Sequence, residues 1–210
     1  GTTSTGTTII TTEGKHFGVD GIGNRIAAVE KINEIKDGVS GFNGLRWEDV
    51  EPKPPINGNH LYATGDEFKA TIDAMNSAGR QLQLNIDADN SWATIKDGYK
   101  RNINIRPEYI DDWEALIKHL VKDYPVSYLQ ISSEAENFWG DAEGYTKVLC
   151  AAYKAAKEAN PKVKVMAAGF NDGAAFSQPE FSQSEEVQQE MLNKNPEFKS
   201  KIDFILYFLS

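Results

Sequence analysis

A glutamate in the middle of the chain, Glu134, is the side chain best placed to carry out chemistry. It comes directly after residues 129–133, a short apolar stretch with the pattern of a strand. Amphipathic helical patterns flank this stretch at 111–124 and 141–160. A carboxylate at a strand end is free to meet a ligand while the sheet holds its position, so Glu134 can serve as a general acid or base.

Other side chains that could bind a ligand also lie near the ends of predicted strands. Arg46 lies in an apolar segment, where a buried guanidinium needs a partner; a core ion pair with Asp20 or Glu48 is the alternative to a role in a site. An indole near a strand end either packs in the core or offers a flat apolar face to a ligand. The further candidates are Trp47, Asn85, Trp92, Ser133, Trp139, Asn171 and Tyr207. Trp113, in contrast, lies on a helical stripe and is predicted to be a core residue.

The elements that would position these residues alternate between strand and helix patterns. Alternation of this kind predicts an α/β fold in which crossover helices join parallel strands. The loop at 51–58 has two adjacent prolines and an Asn-Gly pair, which predict no regular structure. Strands are predicted at 16–20, 44–47, 81–86, 129–133, 162–169 and 202–209, and helices at 24–36, 66–79, 111–124, 141–160 and 185–192.

Two architectures share this alternation, a doubly wound open sheet and a β/α barrel. Gly18, Gly21 and Gly23 lie near the end of the first predicted strand, but their spacing does not match the glycine pattern of a dinucleotide-binding turn. Long loops with Trp and Asp after the second and third strands favour the barrel. We therefore predict a TIM (β/α)8-type barrel with only about six β/α units over 15–210, preceded by a flexible Thr- and Gly-rich lead-in over 1–14.

Composition and charge exclude several kinds of partner. The chain has 210 residues and a formal net charge of −9, and nothing concentrates its basic residues, so no nucleic-acid partner is expected. No apolar run reaches the roughly 20 residues that a membrane-spanning helix needs, so no membrane is expected either. His16, His60 and His119 are far apart, so we predict no metal site and no cofactor. Cys150 lies in an alanine-rich helical pattern and is expected to be a buried thiol.

Two segments resemble motifs of the clan A retaining glycoside hydrolases. Residues 128–139, which contain Ser133-Glu134, resemble the fourth-strand motif, which usually ends in Asn-Glu and whose glutamate is the general acid/base. Residues 44–52, an arginine-containing strand that runs into Trp-x-x-x-Glu-Pro, resemble the second-strand motif. Residues 201–205 are similar to the start of the sixth strand, and the resemblance spans roughly residues 16–210.

The resemblance implies a carbohydrate substrate and an acid/base role for Glu134, with Glu136 as the alternative acid. It implies that Arg46 orients the nucleophile carboxylate. It also implies that Ser133 takes the place of the asparagine that hydrogen-bonds the sugar 2-hydroxyl. The remaining candidates would contact the sugar by stacking or through its hydroxyl groups: Trp47, Trp92, Trp139, Asn85, Asn171 and Tyr207. For Tyr207, the packed interior of the barrel is the alternative.

The chain departs from the family pattern in two respects. A serine hydroxyl at Ser133 is shorter than an amide and offers one donor. The family nucleophile is a glutamate at the end of the seventh strand, so it is expected beyond residue 210, in a further segment that completes the barrel. The linker-like lead-in could also join this domain to another module, which is compatible with a secreted multidomain protein.

Three functions are compatible with these features. The first is a glycosidase that acts on oligo- or polysaccharides by a retaining mechanism with two carboxylates. The second is a non-catalytic carbohydrate-binding barrel, in which Ser133 marks lost chemistry. The third is another β/α enzyme, whose site would contain phosphate-binding backbone amides instead of indoles and carboxylates.

Overall fold

A computed structural model describes residues 18–19, 38–95, 104–135 and 142–169. Within these residues, strands and helices follow one another along the chain. The strands are β1 (Gly18–Val19), β2 (Val39–Arg46), β3 (Gln81–Asp87), β4 (Val126–Ile131) and β5 (Lys164–Met166). The helices are α1 (Trp47–Val50), α2 (Asp66–Ser77), α3 (Ile110–Asp123) and α4 (Ala142–Ala159), with a 3-10 turn at Pro107–Tyr109 before α3.

The described strands form one parallel sheet whose spatial order follows the sequence, β1-β2-β3-β4-β5. A doubly wound sheet reverses its strand order at a switch point, and these five strands contain no reversal. A sheet in which each strand pairs with the next is the arrangement of a β/α barrel, and its carboxyl ends lie at one edge. The α/β fold and its parallel sheet are thus confirmed, while the number of β/α units stays a prediction.

The sheet has an apolar face that packs against helices. Leu82, Leu84 and Ile86 alternate along β3 and are almost completely buried, which confirms the predicted pattern of this strand. Phe42 of β2 pairs in register with Leu84 and is therefore on the same face. Its ring meets Phe68 of α2 edge-on, with 4.9 Å between the ring centroids. The apolar face therefore forms the centre of the described core.

The opposite face of the sheet, which would line the interior of a barrel, carries amide side chains. In this it differs from most barrel interiors, which are dominated by branched aliphatic residues. Gln83 on β3 donates from Nε2 to Oε1 of Gln130 on β4 at 2.9 Å. Two residues nearer the start of each strand, the Tyr128 hydroxyl donates to Oε1 of Gln81 at 3.4 Å. Because side chains alternate along a strand, Asn85 continues this row toward the carboxyl edge. A row of amides thus leads to the edge where a barrel site would lie.

Helices α3 and α4 pack against each other around Trp113. This indole is fully buried, as its position on a helical stripe predicts, and its Nε1 donates to the backbone oxygen of Val148 at 3.2 Å. At the periphery of the same contact, Lys154 of α4 lies 3.2 Å from the Glu114 carboxylate of α3. The contact between the two helices is therefore buried at its centre and carries an ion pair at its edge.

Two element boundaries differ from the predictions in ways that affect the site. β2 begins at Val39, earlier than predicted, and ends before Trp47, which starts the short helix α1 instead of ending the strand. β4 ends at Ile131, so Glu134 lies in a turn three residues beyond the strand rather than directly after it. Burial continues past the end of the strand, since Ser132 is also fully buried.

The loop predicted to lack regular structure contains a tight turn. Ile56 and Asn59 form an isolated antiparallel bridge, with N–O distances of 3.2 and 3.0 Å. Between them, Asn57 and Gly58 have φ values of 52° and 75°. Positive φ at both central positions is the type I′ turn that Asn-Gly favours, and it forms here despite the prolines that precede it.

Cys150 is exposed, so the expectation of a buried thiol is wrong. The buried stripe of α4 consists of Ala142, Tyr145, Val148, Ala152, Ala155 and Ala156. Position 150 lies on the other side of the helix, and the surrounding alanines gave no sign of which side faces the core. The lead-in over 1–14 and the predicted elements at 24–36, 185–192 and 202–209 lie outside the described residues.

Tyr145 of α4 joins the carboxyl ends of β4 and β5. Its hydroxyl donates to the backbone oxygen of Ile131 at 2.9 Å and accepts from the backbone N–H of Ala168 at 2.6 Å. Burial, opposed by the hydrogen bond from Ala168, raises the pKa of Tyr145 to about 12. The folded protein therefore keeps this proton at pH values where an unfolded tyrosine, with a pKa of about 10, has lost it.

We expect this tyrosine to make stability fall as the pH rises above about 10, because the unfolded state then binds fewer protons than the folded state. Its contribution to the slope is at most about 1.4 kcal/mol per pH unit. Urea midpoints measured at several alkaline pH values should give a shallower decline for Tyr145→Phe. Burial also raises the pKa of Tyr62, so part of the decline remains. Tyr153→Phe, at an exposed site on the same helix, should keep the full decline; equal slopes in all three proteins would contradict the assignment.

Candidate active site

The candidate acid Glu134 lies in a turn at the carboxyl edge of the sheet, between β4 and α4. Ser132 and Glu134 have φ values of 62° and 47°. A non-glycine residue in this left-handed region costs on the order of 1 to 3 kcal/mol and persists only where the surrounding structure holds it. Such residues cluster at functional sites. The backbone conformation therefore points to the same turn in which the sequence predicts a catalytic glutamate.

Backbone hydrogen bonds tie this turn to the neighbours of β4 on both sides. The N–H of Ser132 donates to the oxygen of Ile86 on β3 at 2.9 Å. The N–H of Glu134 donates to the oxygen of Gly169, just after β5, also at 2.9 Å. Glu134 is half-buried. The turn is therefore fixed between two strands, and its glutamate keeps contact with solvent.

Side-chain amides from the polar face reach the same turn. The backbone oxygen of Ser132 accepts hydrogen bonds from Asn85 Nδ2 at 3.2 Å and from Gln130 Nε2 at 3.0 Å. Asn85 is only 3% exposed, so its predicted contact with a sugar hydroxyl is replaced by one with the backbone. Its Oδ1 and the Oγ of Ser132 are buried and have no hydrogen-bond partner among the described residues. Unpaired buried polar atoms are uncommon in proteins.

Arg46, the last residue of β2, forms an ion pair at this edge. Its Nη2 lies 2.5 Å from Asp49 Oδ1, and its Nε donates to Asp49 Oδ2 at 3.0 Å. The two side chains are 43% and 41% exposed, so the pair is neither in the core nor made with Glu48. The first turn of α1 brings Asp49 back over the strand end. The hydrogen bond to Asp49 raises the pKa of Arg46, with smaller contributions from nearby carboxylates.

Trp47 is fully buried at the start of α1, so the prediction that it stacks on a sugar is wrong. Its ring centroid lies 5.5 Å from that of Trp113 and 5.0 Å from that of Trp92. Its Nε1 donates to Glu51 Oε2 at 2.9 Å. Core packing, the alternative for this indole, is what the structure shows.

Glu51 is fully buried and accepts hydrogen bonds from several donors. It was not among the residues predicted from the sequence to have a role. Besides Trp47, the Nδ1 of His60 binds its carboxylate, at 2.7 Å from Oε1. Its backbone oxygen accepts from Asn90 Nδ2 at 3.0 Å and from Trp92 Nε1 at 3.1 Å. The signal that could have found it is the Trp-x-x-x-Glu spacing, because residues four apart lie on one side of a helical turn.

Trp92 lies in the loop after β3 and is partly buried. Its ring meets Tyr109 edge-on, with 5.2 Å between centroids, and its backbone oxygen accepts from Arg106. The Arg106 guanidinium lies over the ring of Tyr109, 4.9 Å from its centroid. The indole is thus held in one orientation at the carboxyl edge, and its contact with a sugar stays a prediction.

A stack of aromatic rings fastens the loop after α1 to α3. The ring of Tyr62 lies 4.0 Å from that of His119 and 5.4 Å from that of His60, in nearly parallel planes. His119 Nδ1 lies 2.6 Å from Asp123, and His60 Nε2 lies 3.6 Å from Asp112. Burial raises the pKa of Asp112, and the charge of His60 acts against this. The sequence separation of these histidines hid the fact that one tyrosine joins them.

The remaining candidates, Trp139, Asn171 and Tyr207, and the alternative acid Glu136 lie outside the described residues. Their roles stay predictions. Within the described ranges, no group of three or more His, Cys, Asp or Glu side chains is arranged to hold a metal ion. The helices of the same ranges include none that is long and apolar enough to cross a membrane.

No protein-family model matches the chain, and no curated protein matches it. Similar solved structures include the family 39 glycoside hydrolase of Bacteroides cellulosilyticus WH2, with 15% identity over 68% of this chain and 28% of that one and a TM-score of 0.45. Another is the GH39 enzyme from Xanthomonas axonopodis pv. citri, with 15% identity over 80% and 34% of the two chains and a TM-score of 0.46. Fpglu1 from Fervidobacterium pennivoraus has 13% identity over 82% and 48%, with a TM-score of 0.41.

The chain therefore spans between 28% and 48% of the length of these solved structures. Two of them are named as family 39 glycoside hydrolases. At these identities and TM-scores, function has to be inferred from the residues of the site.

Proposed function

We propose that the protein is a glycoside hydrolase that acts on an oligo- or polysaccharide by the retaining mechanism, with Glu134 as general acid/base. The observation that supports this is the turn that holds Glu134 at the carboxyl edge of a parallel sheet in barrel order. Active sites of β/α barrels are built at this edge. The fourth-strand motif around Ser133-Glu134 supplies the reaction class.

The retaining reaction needs two carboxyl groups about 5 Å apart, one on each side of the bond to be cleaved. Glu134 donates its proton to the leaving oxygen while the second carboxylate attacks the anomeric carbon and forms a glycosyl ester. Glu134, now ionised, takes a proton from a water molecule, whose oxygen attacks the same carbon and releases the sugar. The resemblance assigns the second carboxylate to a seventh strand, after the sixth strand predicted at 202–209.

The proposed substrate contacts are the predicted residues other than Trp47 and Asn85, which are buried. Arg46 carries a positive charge at the site edge and would orient the second carboxylate. Ser133, half-buried beside Glu134, would meet the sugar 2-hydroxyl. Trp92, Trp139, Asn171 and Tyr207 would complete the contacts with the sugar. Because a polysaccharide is too large to enter a cell, we also propose an extracellular location.

One residue favours a second function. Ser133 stands where the family has asparagine, and a single hydroxyl cannot make the paired contact of an amide. A non-catalytic carbohydrate-binding barrel would keep the sugar contacts of this edge without needing that hydrogen bond in the transition state.

Incubation of the full-length protein with alkyl and aryl glycosides and with soluble polysaccharides distinguishes the two functions. Release of reducing ends, with NMR showing that the first product keeps the anomeric configuration of the substrate, supports the retaining hydrolase. Binding by calorimetry without hydrolysis supports the second function. Absence of both binding and hydrolysis across the panel contradicts both.

A further inference from the structure

We infer that Asn85 and Gln130 are positioning residues, which hold the Glu134 carboxyl at the cleavage site by binding the backbone of its turn. The inference rests on the proposed acid/base role of Glu134. Neither amide needs to touch the sugar, since both act through the carbonyl group of Ser132. This differs from the sugar-hydroxyl contact that the sequence suggested for Asn85.

The geometry of the Ser132 carbonyl group is the first support. Its oxygen accepts from Asn85 Nδ2 and Gln130 Nε2 at 3.2 and 3.0 Å, so two donors from adjacent strands converge on one acceptor. Ser132 has a φ of 62°, and its side chain is fully buried. A conformation that serine seldom adopts is therefore held by bonds on its oxygen and, through Ile86, on its nitrogen.

The orientation of the Gln130 amide is fixed by a further residue. Gln83 Nε2 donates to Gln130 Oε1 at 2.9 Å, and the other end of the same amide points at Ser132. If the Gln130 amide were rotated by half a turn, donor would face donor at Gln83 and acceptor would face acceptor at Ser132. The row of amides on the polar face therefore ends in a donor aimed at the turn.

The carbonyl group of Ser132 lies two residues before Glu134, so its direction determines where the glutamate is placed. Without the amide donors, the peptide unit after Ser132 is free to rotate toward the ordinary backbone region. Such a rotation displaces Glu134 even if the bond from its N–H to Gly169 persists. A misplacement of about 1 Å at a reacting group costs on the order of 100-fold in rate.

The test uses Asn85→Leu and Gln130→Met in the full-length protein, since both changes remove the donor, keep a similar side-chain volume and add no charge. We expect kcat on an alkyl glycoside to fall about 10- to 100-fold, with KM nearly unchanged. The loss in kcat/KM, which reports the bond-cleaving step, should be much smaller on a dinitrophenyl glycoside, whose leaving group needs no proton. A variant that is merely less stable would lose activity equally on both substrates.

Tyr128→Phe is the matched control, because Tyr128 lies on the same face of β4 and its hydroxyl donates to Gln81 in the row of amides. It should leave the ratio of the two activities unchanged. A normal ratio in both test variants, together with a Glu134→Gln variant that shows the leaving-group effect, would overturn the positioning role alone. An unaffected Glu134→Gln variant would instead overturn the proposed function.

Hydrogen exchange provides a measurement that does not depend on activity. The N–H groups of Ser132 and Glu134 are both hydrogen-bonded in the turn. They should exchange at least about tenfold faster in Asn85→Leu than in Tyr128→Phe, since an opening of the turn exposes them. Equal protection in the two variants would overturn the inference even if no glycoside were hydrolysed.

Discussion

Glu134→Gln should lower kcat on an alkyl glycoside by about 100- to 10,000-fold, because the amide cannot protonate the leaving oxygen. The substitution keeps the shape of the side chain and the N–H bond to Gly169, so the fold should be retained. Initial rates on alkyl and dinitrophenyl glycosides measure the effect. The loss in the bond-cleaving step should be far smaller on the dinitrophenyl compound, which leaves readily as an anion.

Glu136→Gln serves as the comparison, since Glu136 is the nearest alternative acid in the sequence. If Glu136→Gln loses the activity and Glu134→Gln keeps it, the acid has to be reassigned. If neither change affects hydrolysis, the retaining mechanism proposed for this edge is wrong. Circular dichroism and the thermal midpoint of each variant separate loss of chemistry from loss of fold.

Glu51→Ala should lower the free energy of unfolding by about 2 to 4 kcal/mol, because two buried or partly buried donors each lose an acceptor at roughly 1 to 3 kcal/mol. The donors are Trp47 Nε1 and His60 Nδ1. Shortening the side chain to a single methyl group also leaves a cavity beside the loop that carries His60. Urea denaturation followed by tryptophan fluorescence measures the change, since Trp47 reports directly on this region.

Glu51→Gln should fall between the wild type and the alanine variant, because the amide oxygen keeps one of the two acceptors. Glu143→Ala removes an exposed carboxylate from α4 that pairs with Lys147 at the surface, and stability should change little. If Glu51→Ala is as mild as Glu143→Ala, the buried network does not stabilise the fold as inferred.

The third strand could be predicted from the sequence because its pattern is local. Leu82, Leu84 and Ile86 alternate without interruption, and the structure contains the strand where they do. Spatial order was harder to predict, because strand and helix alternation is the same in a doubly wound sheet. The absence of a dinucleotide-type glycine turn weakened the doubly wound alternative, and long loops with Trp and Asp favoured the barrel. The observed pairing of each described strand with the next agrees with the barrel order.

The place of Glu134 near the end of β4 could be predicted from the sequence, but the conformation of its turn could not. Glu134 was identified from its place after an apolar stretch, whereas the conformation of its turn depends on a hydrogen bond from Asn85 to Ser132 and on one from Glu134 to Gly169, residues distant in sequence. The same limit explains Trp47: an indole near a strand end looks the same in sequence whether it points to solvent or to the core. Only the short helix that begins at Trp47 decides between them.

The order of the strands also has a consequence for synthesis of the protein. Every pairing between the described strands joins strands that follow one another along the chain, so none of these strands has to wait for a distant partner. A ribosome delivers about 5 to 20 residues per second, which is slow compared with the formation of helices and short loops. The sheet can therefore grow in one direction during translation, each new β/α unit docking onto the one before it.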